Sequence, residues 1–236
     1  KKNFIAVIIP CYKVDVKTTI KIIRKIPVLV DNIYLVDDAC PFSSGSKVKL
    51  KKIKNVKVFF NKKNIGVGGS VMKVYEKLKK KNGYLIKIDG DGQMNPKYIK
   101  SILNKMISEN LDYIKGNRFK NYKILLKQMP LTRICGNFIL SYLSMISAGY
   151  SKIFDCTNGY TCIKTEIIKN LPLKKIHKRF FFETDILFHL FKKKAKVQDF
   201  FIPAQYGNEK SNLNLIKIVP QFSYLLFKNF VNRVLK

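Results

Sequence analysis

Along the first half of the chain, unbroken apolar runs alternate with stretches whose apolar residues recur every three or four positions. FIAVII (4–9) is β-branched and stopped by Pro10, which predicts a buried strand. TTIKIIRKI (18–26) has helical spacing. NIYLVDD (32–38), VKVFF (56–60) and YLIKI (84–88) predict three further strands, and LDYIKG (111–116) a fifth. Between them, NIGVGGS (64–70) opens a helix with Val71, Val74, Tyr75 and Leu78 on one face, ended by Asn82-Gly83. Pro96 starts another, with Ile99, Ile102, Leu103, Met106 and Ile107 at helical spacing.

Strands alternating with helices predict an α/β fold, a mostly parallel Rossmann-like sheet with helices on both faces. The second half is less regular. Residues 134–148 and 183–194 read as helices and 196–203 as a strand. FDCTNGYTCIK (154–164) has an Asn-Gly turn that suggests a hairpin. From Lys210 to Lys236 there is no acid, but there are four lysines and one arginine, with Leu215, Val219, Phe222, Leu226 and Phe230 among them. The expected organisation is a catalytic domain over 1–210 and a basic amphipathic tail over 211–236.

Composition sharpens this picture in one respect. The chain has 46 Lys+Arg against 15 Asp+Glu, a formal net charge of +31, which favours anionic partners. Against that background, four acids fall at the carboxyl ends of two predicted strands: Asp37 and Asp38, Asp89 and Asp91. In open α/β sheets ligands bind beyond those ends. The five cysteines include no CxxC pair, so neither a disulfide framework nor a zinc site is expected. No signal peptide or confident spanning helix is expected; 134–151 is uncharged, but Gly, Asn and Ser interrupt it.

KIDGDGQ (87–93) sets two carboxylates at i and i+2 just past a strand. Alone they repel; a hard divalent cation, Mg2+ or Mn2+, relieves the conflict and itself binds substrate phosphates. Gln93 is positioned to add a neutral oxygen. The competing reading is an Asx turn, and no twelve-residue calcium loop follows. Asp37 and Asp38 can accept hydrogen bonds from a nucleotide base or ribose. The turn at Gly66 either cradles phosphate or serves close packing.

IIPCYK, VDD, NIGVGG, DGDGQ and GNR, in this order, resemble glycosyltransferase family 2 with its GT-A fold. GNRF, RICGN, DCTNGYTCI, RFFFETDILFHL and FIPAQYGNEKSNL are similar to its dolichol- or polyprenol-phosphate sugar transferase branch. The resemblance implies that Asp89, Asp91 and Gln93 hold the metal and the donor diphosphate. It implies that Pro10, Tyr12 and Asp38 line the nucleotide pocket, and that Arg118 and Arg133 grip the phosphate of a lipid acceptor. The chain departs from the family at Lys13-Val14-Asp15 and at Ala39-Cys40-Pro41-Phe42, both beside the nucleotide pocket. Many relatives continue into membrane helices, which this chain does not show up to Lys236.

The resemblance further implies inversion by direct displacement. The expected partners are a nucleotide-sugar donor, a polyprenyl phosphate and an anionic membrane surface, with the protein peripheral on the cytoplasmic face. A phosphate acceptor is already anionic, whereas a glycan hydroxyl needs a base, for which Asp185 is the first candidate and Glu183 the second. A nucleic-acid partner is not expected, because the chain carries no recognised nucleic-acid-binding signature and the rim acids repel a polyanion.

Overall fold

The computed structural model describes residues 3–203 and 215–235. Its elements run β1 (Phe4–Cys11), α1 (Val16–Arg24), β2 (Asn32–Asp37), α2 (Ser44–Leu50), β3 (Val56–Phe60), α3 (Gly66–Leu78), β4 (Gly83–Lys87) and, after a 3-10 turn at Pro96–Tyr98, α4 (Ile99–Ser108). Then follow β5 (Tyr113–Asn117), α5 (Tyr122–Gln128), α6 (Leu131–Ala148), β6 (Thr161–Lys164), α7 (Thr165–Ile168), α8 (Phe182–Lys192), β7 (Val197–Phe201) and α9 (Leu215–Val234). One seven-stranded sheet has the order β3-β2-β1-β4-β6-β5-β7. All its pairings are parallel except those of β6, which is antiparallel to both β4 and β5.

The sheet separates two cores, as the alternation of side chains along each strand requires. Ala6, Ile8, Val36 and Leu85 face α3 and α8, where Val74, Tyr75, Phe182 and Ile186 are buried. Val7, Ile9, Leu35 and Ile86 face α1 and α4, where Ile22, Ile102 and Met106 are buried. Each buried Val, Leu, Ile, Phe or Met among them contributes about 1.5–3 kcal/mol on leaving water. The chain winds outward from β1 to β3, then crosses back to β4 on β1's other side. The crevice between the carboxyl ends of β1 and β4 is therefore a topological switch point, where ligands bind in such sheets.

The second half differs from expectation in two places. Residues 154–164 do not form a hairpin. Only Thr161–Lys164 is a strand, and it pairs with β4 and β5 instead of with a preceding arm. Asp155 sits in the left-handed region at φ 58° with its carboxylate drawn onto Arg118, so the preceding segment folds as a turn against β5. The basic tail, in its described part, is a helix docked on α6 and α8. Leu226 and Asn229 are buried, and Phe181 meets Phe222 edge to face. The boundary expected at 210/211 and most of FIPAQYGNEKSNL lie outside the described residues.

Helix α6 has its serines inside and its hydrophobes outside. Ser141, Ser144 and Ser147 are buried against Cys156, Thr184 and the α9 backbone, while Phe138, Ile139, Tyr142, Leu143 and Ile146 are exposed. On α9, Phe222, Leu226 and Phe230 turn inward, so the residues facing solvent are Val219, Tyr224, Phe227 and Val234. Of the apolar tail residues named from the sequence, Phe222, Leu226 and Phe230 thus face the protein and Val219 is exposed. Contiguous exposed apolar surface of this kind marks an interaction face.

Candidate active site

Strand β4 delivers Asp89 and Asp91 to a cleft of about 1470 Å³ at the switch point. Gly92, at φ 91°, turns the chain back beneath it. The Gln93 backbone N–H donates to Asp91 Oδ1 at 3.0 Å, an Asx turn. Both carboxylates and Gln93 line the cleft, so the Asx turn does not turn them away from it. Pro10 and Tyr12 form part of its wall from the end of β1, with Tyr12 43% exposed.

Behind Asp89 lies a buried charge network. Lys87 Nζ is 2.8 Å from Asp89 Oδ1 and 2.7 Å from Glu183 Oε1. Glu183 Oε2 is 3.3 Å from Lys115 Nζ, which also donates to the Asn158 carbonyl at 2.8 Å. Burial works against the charge on Lys87, but Asp89 and Glu183 outweigh it and hold its pKa above the usual lysine value. Gly159 leaves room for this network: a Cβ would crowd Lys87 Nζ and lie 2.5 Å from Asp89 Oδ2, so the ends of those side chains would have to shift.

The other rim acids are committed to the backbone. Asp37 does not line the cleft; its oxygens accept from the Cys40 and Gly45 N–H groups, both at 2.7 Å, and tie β2 to the start of α2. Asp38 reaches the cleft, but it accepts from Asn61 Nδ2 and from the N–H groups of Ile65 and Gly66 at 2.8–2.9 Å. Asp38 thus holds the start of α3 from the end of the neighbouring strand. Gly66 lines the cleft with its N–H given to Asp38 instead of left for a phosphate. Its φ of 85° and its approach to the Lys178 carbonyl, 2.5 Å from a Cβ, show that the glycine serves close packing.

Arg118 and Arg133 both line the cleft. Arg118 is held from behind: Nε and Nη2 bind the two oxygens of Asp155 at 2.7 and 2.6 Å, and Nη2 also donates to Thr157. Arg133 lies in the first turn of α6. The order of the two base candidates reverses. Asp185 is turned away from the cleft, accepting from the His177 N–H at 2.7 Å and from Asn229 Nδ2 at 2.8 Å, so it anchors α9. Glu183 lines the cleft. Two residues apart on a helix, they point about 200° apart and cannot share one face.

Sequence reasoning missed Lys87, Lys115 and Arg179, which reaches the cleft and bonds Asn64 at 3.4 Å. The available signal was a lysine inside each of two apolar strands, YLIKI and LDYIKG. Burial pushes the Cys11 thiol up to about 12, so it offers no nucleophile despite its place on the wall.

The cleft is also lined by apolar side chains of two helices, Ile139 and Leu143 of α6 and Val219, Phe222 and Leu226 of α9. The fold is shared with solved structures. Glucosyl-3-phosphoglycerate synthase from Mycobacterium tuberculosis, in complex with Mn2+, UDP-glucose and phosphoglyceric acid, superposes with a TM-score of 0.70 at 13% identity, covering 98% of this chain and 79% of its own. It establishes the GT-A fold. An uncharacterized protein of Methanocaldococcus jannaschii is 30% identical over 235 residues, covering 92% of this chain and 98% of its own. The UDP-N-acetylglucosamine–dolichyl-phosphate N-acetylglucosaminyltransferase of Methanococcus voltae is 30% identical over 121 residues, 51% of this chain and 47% of its own length. The model of glycosyl transferase family 2 matches residues 6–171, from the first core strand through β6 and α7 and including both cleft carboxylates. With its strand-end aspartates on the switch-point crevice of that fold, the chain belongs to glycosyl transferase family 2.

Proposed function

We propose that the protein transfers a sugar, with inversion, from a nucleotide-diphosphate sugar to a polyprenyl phosphate at a membrane surface. The observation that carries this reading is the mixed lining of one cleft: Asp89, Asp91, Arg118 and Arg133 share it with the apolar Ile139 and Leu143 of α6 and Val219, Phe222 and Leu226 of α9. A ligand with an anionic head and a hydrocarbon chain matches both kinds of lining. The name of the Methanococcus voltae relative includes the same acceptor class.

Asp89, Asp91 and Gln93 would hold Mg2+ or Mn2+. Two carboxylates and an amide on one cleft suit a hard cation that keeps part of its shell on substrate oxygens. The M. tuberculosis structure pairs Mn2+ with UDP-glucose. When bound, the ion neutralises charge developing on the departing diphosphate. Tyr12 and Asp38 border the nucleotide, Asp38 by fixing the wall. Arg133 binds the acceptor phosphate, and Asp155 orients Arg118 toward the same region.

Glu183 bears on the choice of acceptor. A hydroxyl acceptor requires a base, yet both oxygens of Glu183 are engaged by ammonium groups and Asp185 points elsewhere. A phosphate acceptor needs none. The exposed apolar faces of α6 and α9 and the charge of +31 suit peripheral attachment to an anionic bilayer. Among the described residues no helix is long and apolar enough to cross a membrane. The test is a panel of labelled nucleotide sugars with polyprenyl phosphate in detergent. Label entering the organic phase supports the reading; label entering only water-soluble glycan overturns it.

A further inference from the structure

We propose that Lys87 is a resident cation that keeps Glu183 out of the metal site, so that the metal binds well only together with the donor nucleotide. The inference rests on the metal-dependent reading above and deepens it.

Asp89 and Glu183 come from different elements, the end of β4 and the start of α8, yet both line one cleft and both are bonded to the same nitrogen. Without Lys87, two carboxylates within a single ammonium's reach would face each other, with Asp91 two residues on. Three carboxylates about one cavity make a strong site for a hard cation even with no substrate present. With Lys87 in place, one oxygen of Asp89 and one of Glu183 are taken, and Lys115 takes the other oxygen of Glu183. Among the described residues no group of three acids, histidines or cysteines is arranged to hold a metal, so with Lys87 between Asp89 and Glu183 the three cleft carboxylates do not converge on one point. What remains is a site of two carboxylates and the Gln93 amide, whose other ligands must come from a diphosphate or water.

The arrangement has a functional consequence. A metal caged by three protein carboxylates would stay behind and retain the product nucleotide. A metal held by two leaves with it. Lys87 is thus a positioning residue that sets the dependence of metal affinity on nucleotide. Gly159 leaves the space beside the ammonium, which a side chain there would make shift.

The experiment is calorimetric titration of the full chain with Mn2+, alone and with a nucleoside diphosphate, for wild type, Lys87→Met, Lys87→Arg and the double variant Lys87→Met/Glu183→Gln. Thermal melts establish which variants are folded. Wild type should bind Mn2+ weakly alone and at least about tenfold more tightly with nucleotide. Lys87→Met should bind Mn2+ alone about 10–100-fold more tightly than wild type and lose most of the nucleotide dependence. Lys87→Arg should resemble wild type. The double variant, which removes the buried charge conflict as well as the ammonium, should return to weak binding. A merely structural lysine would give weaker or unchanged Mn2+ binding in folded Lys87→Met. That result overturns the inference, as does a double variant that binds as tightly as the single one. If Lys87→Met does not fold, a double variant whose Mn2+ affinity or nucleotide dependence departs from wild type overturns it, and one that matches wild type supports it. Absence of Mn2+ binding by wild type even with nucleotide would instead remove the metal-dependent reading itself, and the inference with it.

Discussion

Arg118 and Asp155 form a bidentate ion pair, with Asp155 fully buried and Arg118 reaching the cleft from the end of β5. The pair explains why the 154–160 segment is a turn, and it makes Asp155 a structural acid with consequences for the site. Asp155→Ala should destabilise the fold by about 3–5 kcal/mol, because it leaves a guanidinium uncompensated. Chemical denaturation measures this directly; a change below 1 kcal/mol would show that the pair is dispensable.

The same pair sets a pH dependence. Burial alone would raise the Asp155 pKa, but Arg118 outweighs burial and lowers it. A carboxyl whose folded pKa lies below its unfolded value stabilises the fold above the unfolded value, near 3.9. That contribution is lost as pH falls from about 4 through the folded value. The acid limb of stability should therefore steepen below about pH 4 in wild type and flatten in Asp155→Asn/Arg118→Met, as read by denaturation at stepped pH.

Asp185 and Glu183 should separate cleanly. Asp185→Asn weakens the seat of α9 and should lower stability by about 1–3 kcal/mol, leaving the turnover of folded enzyme within a fewfold of wild type. Glu183→Gln takes the counter-charge from buried Lys87 and Lys115 and alters the cleft, so it should lower both Tm and turnover. Equal effects of both on kcat would contradict the geometry that turns only Glu183 inward.

The solvent-facing residues of α9 should govern membrane attachment. Replacing Phe227 and Tyr224, 67% and 65% exposed, with Glu removes apolar area without touching the buried Leu226. Losing about 1.5–3 kcal/mol per inserted aromatic should weaken binding to anionic vesicles by at least tenfold. Sedimentation with liposomes at two salt concentrations tests this; unchanged binding would assign the face to another partner.

Much of the first half was legible because parallel strands buried on both faces read as unbroken apolar runs. FIAVII and YLIKI became β1 and β4, and the aspartates after β4 line the cleft. Helix α2, with Val48 its one buried apolar residue of appreciable size, carries too little periodicity to be read. The hairpin was misjudged because Asn158-Gly159 is a good local turn signal. What decides that segment is tertiary: Arg118 captures Asp155, and Gly159 leaves room for Lys87 Nζ. Asp37, Asp38 and Gly66 looked like ligand groups because strand-end acids and glycines serve both ligands and helix starts. Only coordinates reveal where their hydrogen bonds go.

The central claim is that the carboxylates after β4 anchor a metal-bound diphosphate. It is tested most directly by titrating nucleotide sugar with Mn2+ into wild type and Asp91→Asn, with each protein first checked for an unchanged melting temperature. The expected result is saturable binding that requires Mn2+ in wild type and is weakened at least about a hundredfold in Asp91→Asn. Equal binding by the two proteins, or binding indifferent to Mn2+, would contradict it.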